Sequence, residues 1–175
     1  MILDVAQFDE SKPFLLIDVD GVLNAINGSQ SRKTYDIFQV GPYWIRMRHE
    51  LGDWLYRLSD HYHLTWCTMW DDEANLELSP KLDLPSLPYV PCWDSQDVFP
   101  SWNGLDLHCK VPPIEEHLRD RPFAWIDDTI GPGDLLWSAW RDDEVAPTRL
   151  LRIDPRIGLA EHHVNKLIEW AERIK

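Results

Sequence analysis

Residues 14–24 read FLLIDVDGVLN. Four apolar residues run into Asp18, and Asp20-Gly21 follows one residue later. An apolar run of this length, bounded by polar residues, reads as a buried strand, and a buried strand is a costly place for two carboxylates. The acids must therefore stand at the strand's end, and something must hold them there.

Further runs of strand length follow at 64–69, 87–90, 123–126 and 149–153. Helical spacing lies between them. Trp44, Met47, Leu51, Trp54, Leu55 and Leu58 recur at intervals of three and four, as do Leu159, Val164, Leu167, Ile168, Ala171 and Ile174. Pro112 and Pro113 mark a helix start before Ile114. Strands alternating with helices predict an α/β fold, a doubly wound and mostly parallel sheet covered on both faces. Such sheets bind ligands at the carboxyl ends of their strands.

Two inserts interrupt the alternation. Residues 25–43, with the turn signal Asn27-Gly28 and a β-like stretch at 35–40, read as a hairpin flap. Residues 79–104 are rich in Pro and Trp and read as an edge strand with an irregular wall. No repeat or linker divides the chain, so residues 1–175 are expected to form one domain.

The composition narrows the partners. The net charge of −13 argues against general nucleic-acid binding, which needs clustered Lys and Arg, though a single phosphate could still be held locally. No apolar run reaches the ~18 residues of a membrane span. The acidic N-terminus MILDVAQFDESK does not resemble a secretory signal, and the three cysteines form no CxxC pair. A cytoplasmic protein is expected.

Strand-end residues carry the chemistry. The first strand ends in Asp18-Val19-Asp20, the second near Thr68, the fourth in Asp127-Asp128, and Lys110 precedes a helix. A doubly wound sheet brings these to one edge. Two carboxylates about 5 Å apart repel by about 3 kcal/mol at an effective dielectric of about 20. The cluster therefore needs cations or protons. Oxygen ligands without neighbouring His or Cys favour Mg²⁺, and Lys110 adds a further positive charge.

With these residues in place, the chain resembles the haloacid dehalogenase (HAD) superfamily of aspartate-nucleophile phosphohydrolases. Its four motifs occur in family order as LLIDVDGVLN, LTWCTMW with Thr68, an isolated Lys110 and FAWIDD. Lys81 competes for the third motif, and Lys110 is preferred for its place between the second and fourth motifs ahead of a helix. The resemblance implies a Rossmann-like sheet of about five strands in the order 5-4-1-2-3. It implies a Mg²⁺-dependent phosphatase acting through an aspartyl-phosphate. Asp18 would be the nucleophile and Asp20 the general acid and base. Thr68 and Lys110 would bind the phosphoryl group, and Asp18, the Asp20 carbonyl, Asp127 and Asp128 would hold the metal.

Neither insert is long enough for a separate cap domain, so the site is expected to be open. By family analogy, open sites suit large phosphorylated substrates or an oligomer that supplies the lid. Small phosphorylated molecules stay within the same reading. Trp70, two residues past Thr68, is the best candidate to stack on substrate. The other tryptophans that follow helix or strand spacing (Trp44, Trp54, Trp125, Trp137, Trp140 and Trp170) are expected in the core. Arg46 and Arg48 are expected as solvated helix charges. Two alternatives remain open: a phosphotransferase of the same superfamily, and a non-catalytic phosphate-binding module that keeps the fold.

Overall fold

A computed structural model describes residues 1–26, 31–98 and 100–175. In chain order the strands are β1 (Phe14–Ile17), β2 (Tyr35–Val40), β3 (Tyr43–Arg48), β4 (His63–Trp66), β5 (Ser101–Trp102), β6 (Leu105–Asp106), β7 (Phe123–Asp127) and β8 (Thr148–Arg152). The helices are α1 (Leu51–Ser59), α2 (Glu73–Glu77), α3 (Val111–Leu118), α4 (Pro132–Glu144) and α5 (Glu161–Arg173). The central sheet is wholly parallel in the order β4-β1-β7-β8. Ile17 at the end of β1 lies level with Trp66 and Ile126 on the neighbouring strands.

The unbroken apolar runs follow from burial on both faces. Leu15 and Ile17 of β1 face one core with Leu64, Trp66, Ala124 and Ile126, beneath α1 and α5. Phe14 and Leu16 face the other with Phe123, Trp125 and Leu150, beneath α3 and Trp137 of α4. Alternate residues of β1 thus point to opposite cores, which leaves that strand no solvent-facing position for a polar side chain. None of the helices is long and apolar enough to cross a membrane, among the described residues.

Three sequence expectations need correction. First, the third predicted strand, at 87–90, does not form. Tyr89 makes isolated parallel bridges to Trp66 and Ile2, in the place the expected order gives it beside β4. Pro85, Pro88 and Pro91 have no N–H to extend a ladder. Second, residues 43–48 are a strand and not the start of the first long helix. The three-residue interval between Trp44 and Met47 suggested a helix, but Gly41 at φ +53 closes a two-residue hairpin turn and pairs Val40 with Tyr43. The flap is therefore longer than 25–43, and Asn27-Gly28 lies outside the described residues. Arg46 and Arg48 sit on β3, where Arg46 donates to the Ala25 carbonyl and Arg48 lies over the Tyr35 ring. Third, Trp44 and Trp140 are 57% and 41% exposed, whereas Trp54, Trp125, Trp137 and Trp170 are buried as expected. Trp44 lies on the uncovered face of the hairpin.

Asn75 fastens the Pro-rich segment to the sheet. Its Oδ1 accepts from the Trp66 indole at 2.9 Å and from Leu87 N–H at 2.8 Å, and its Nδ2 donates to the Leu87 carbonyl at 2.8 Å. Asn75→Ala would leave all three of these buried groups unpaired. The expected loss is about 2–4 kcal/mol, read from urea unfolding, and a loss under about 0.5 kcal/mol would contradict this role.

Candidate active site

β1 delivers Asp18 to the carboxyl edge of the sheet, level with Asp127 at the end of β7. Beyond Asp18 the chain winds into a tight turn in which the Val19 carbonyl accepts from Val22, Leu23 and Asn24 N–H at 3.2, 2.9 and 2.8 Å. Gly21 sits in this turn at φ +80. A Cβ there would also overlap the Asp128 carboxyl group, so glycine is favoured on two counts.

Lys110 joins the two strand ends. It is 3% exposed, and its Nζ lies 2.9 Å from Asp18 Oδ1 and 2.7 Å from Asp127 Oδ2. The residue caps the N-terminus of α3, whose early prolines fix where the helix begins. Lys81 lies elsewhere, with its ammonium 4.5 Å from the Phe38 ring on the hairpin.

The two paired aspartates differ in environment. Burial raises Asp18 to about 7, with Lys110 opposing and Asp127 adding to the rise. Burial also disfavours ionised Asp127, yet the Lys110 charge, with the hydrogen bonds from Lys110 and Thr129, prevails and holds it below the ordinary carboxylate range. Asp127 Oδ1 accepts from Thr129 N–H at 2.9 Å and from Thr129 Oγ1 at 2.6 Å. Lys110 N–H donates to His108 Nδ1 at 3.0 Å, which assigns the ring proton to Nε2. Nε2 then donates to Thr129 Oγ1 at 2.7 Å. Burial lowers His108 below its usual pKa, in keeping with a neutral ring.

Carboxylate oxygens of Asp18, Asp127 and Asp128 lie within 4.8 Å of one another, the one such group of potential metal ligands among the described residues. Three hard oxygen donors suit Mg²⁺. Ionised, the three carboxylates and Lys110 would sum to −2, and burial together with the Asp127 charge raises Asp18. Among the described residues, both donors to Asp18, Lys110 Nζ and Val19 N–H, meet Oδ1. Oδ2 is left free.

The Asp20 carboxylate is not in that cluster. Its Oδ1 accepts from Asn24 Nδ2 at 2.7 Å and its Oδ2 from the Trp70 indole at 2.9 Å. Asn24 Oδ1 in turn accepts from Arg46 N–H at 2.9 Å, which ties the acid to the hairpin. Thr68 is buried two residues beyond β4, at the same edge of the sheet, with Oγ1 3.4 Å from Trp70 N. The sequence reading expected Asp18, Asp20, Thr68, Lys110, Asp127 and Asp128 at one place; the structure brings Asp18, Lys110, Asp127 and Asp128 together and holds the Asp20 carboxylate apart, on Asn24 and Trp70. The reading missed Asn24, His108 and Thr129. Their only signal was proximity in sequence: Asn24 closes the first motif, and His108 and Thr129 stand two residues from Lys110 and Asp127.

No family model and no curated protein matches the chain. Among solved structures it is similar to a variant of fission yeast RNA polymerase II CTD phosphatase Fcp1 bound to beryllium fluoride, at 16% identity and a TM-score of 0.46 over 97% of this chain. The chain spans about half of that structure, 52% of its length.

The raised Asp18 has a consequence for stability. Its contribution is complete below the unfolded value near 3.8 and is lost as pH rises through about 7. With EDTA present, urea midpoints should fall from pH 4.5 to 7.5 more steeply in the wild type than in Asp18→Asn; equal slopes would contradict the assignment. Gly21→Ala should cost about 1–3 kcal/mol in the same assay, and an unchanged midpoint would show that the turn tolerates a side chain.

Proposed function

We propose that this chain is a Mg²⁺-dependent phosphatase that cleaves phosphate monoesters through an aspartyl-phosphate. The observation that carries the reading is the buried lysine bridging Asp18 and Asp127 at 2.9 and 2.7 Å, with Asp128 beside them. A purely structural strand end has little use for three acids and one cation. The order and spacing of the four motifs, which resemble the HAD superfamily, support the same reading.

Asp18 attacks phosphorus through the oxygen that Lys110 does not hold. The P–O bond to the alcohol breaks as the aspartyl-phosphate forms, and Asp20 donates a proton to the departing oxygen. Asp20 then takes a proton from water. That water displaces phosphate from the acyl-phosphate and restores the Asp18 carboxylate. Lys110 stabilises charge on Asp18 and on the phosphoryl oxygens, and Thr68 offers them a hydroxyl. Asn24 and Trp70 keep Asp20 aimed. Thr129 and His108 keep Asp127 oriented. Mg²⁺ held by Asp18, Asp127 and Asp128, with the Asp20 carbonyl as a further ligand, would supply the positive charge that the cluster lacks.

Hydrolysis of 4-nitrophenyl phosphate tests the reading. The wild type should turn over with Mg²⁺ and lose activity to EDTA, and Asp18→Asn should fall by about 10³-fold or more. Asp20→Asn should lose less with this substrate than with an alkyl phosphate, since nitrophenolate leaves without a proton. Undiminished turnover in Asp18→Asn would rule out the nucleophile.

A further inference from the structure

A groove of about 550 Å³ opens beside Asp20, between the tip of the hairpin and the loop after β4. Trp70, Tyr43 and Trp93 line it. Tyr43 and Trp93 are 64% and 55% exposed, so neither owes its place to a core. The Tyr43 and Trp70 rings lie 6.4 Å apart, tilted at 51°, and form one continuous aromatic wall. Trp70 reaches the candidate catalytic centre directly, through its hydrogen bond to Asp20.

The charge of the groove has one sign. Its charged lining residues are Asp20, Glu73 and Glu77, with no lysine or arginine among them. A smaller neighbouring hollow of about 360 Å³ shares Trp70, Trp93 and Glu73, and its charged lining residues, Asp71, Asp72 and Glu73, are likewise all acidic. A second phosphate or a carboxylate on the substrate would be repelled here. A cation would meet carboxylates and the faces of electron-rich rings together, the combination that recognises organic ammonium groups. The volume falls in the range of small-molecule sites, roughly 300–1,000 Å³.

We infer that this groove receives the alcohol portion of the substrate and selects small phosphate monoesters that carry a cationic nitrogen. The inference rests on the phosphatase reading for what the neighbouring cluster does with the phosphate. Asp20, which would protonate the departing oxygen, stands at the junction of cluster and groove. Glu73 and Glu77 are exposed on α2 and are free to face a ligand.

Binding separates this inference from the chemistry. Phosphocholine and its isostere with a neutral head group, 3,3-dimethylbutyl phosphate, are titrated into Asp18→Asn with Mg²⁺ present, by calorimetry and tryptophan fluorescence. Their phosphates are identical, so the ratio of affinities reports the groove alone. Phosphocholine should bind about tenfold tighter. Adding Glu73→Gln and Glu77→Gln, with folding checked by circular dichroism, should bring the ratio close to one. Equal binding of the two esters would overturn the inference, as would a preference that survives loss of both glutamates. Tighter binding of a lysine-flanked phosphoserine peptide than of phosphocholine would overturn the small-molecule occupant. Hydrolysis of 4-nitrophenyl phosphate without cation preference would sink the groove and leave the phosphatase. Cation preference in a wild type that hydrolyses no ester would do the reverse.

Discussion

The buried ammonium of Lys110, between Asp18 and Asp127, is the constraint around which this protein is arranged. A lysine with 3% exposure cannot remain charged without partners, and neither carboxylate can remain charged without it. The triad also crosses the architecture. Asp18 ends β1, Asp127 ends the adjacent β7, and Lys110 starts α3 from a different connection. One set of contacts therefore fixes how far each strand runs before it turns. Buried ion triads are seldom the most stable way to fill such a space, and a hydrophobic replacement often serves stability as well. Their presence here points to chemistry.

Environment divides two acids that the sequence presents alike. Asp127 has the lysine on one oxygen and Thr129 on the other, and it stays ionised. Asp18 shares the same lysine, but its second oxygen has no donor among the described residues, and burial drives its pKa upward. Divergent protonation of neighbouring carboxyls is what separates roles in acid and nucleophilic catalysis. The chain from His108 through Thr129 to Asp127 sustains the difference, since a neutral ring donating to the threonine hydroxyl turns that hydroxyl toward the carboxylate.

Much of this was legible in the sequence, for a definite reason. A parallel sheet buried on both faces leaves charged residues little place but the strand ends, so an acid after an apolar run announces its position. Asp18, Asp127 and Asp128 were found that way, and Lys110 through its place before a helix. The failures have physical causes too. Trp44, Met47 and Leu51 are spaced for a helix, but the first two belong to a hairpin, because a turn at Gly41 outweighs side-chain periodicity. The run at 87–90 has strand composition, yet prolines deprive it of donors. The hydrogen bond from Trp70 to Asp20 links residues far apart in sequence and follows from no local pattern.

On the proposed reading, that bond also bears on how an open site can work. An open cluster admits water, which the second half of such a reaction needs and the first half must avoid. Here Asp20 is anchored to both walls. Asn24 connects Asp20 to the backbone of Arg46 on the hairpin, and Trp70 connects it to the loop after β4. Moving either wall would move Asp20 or strip it of a donor. On the proposed reading, a ligand seated between Tyr43 and Trp70 would lie against both walls that hold Asp20, and the hairpin and the Trp-rich wall would act in place of a lid.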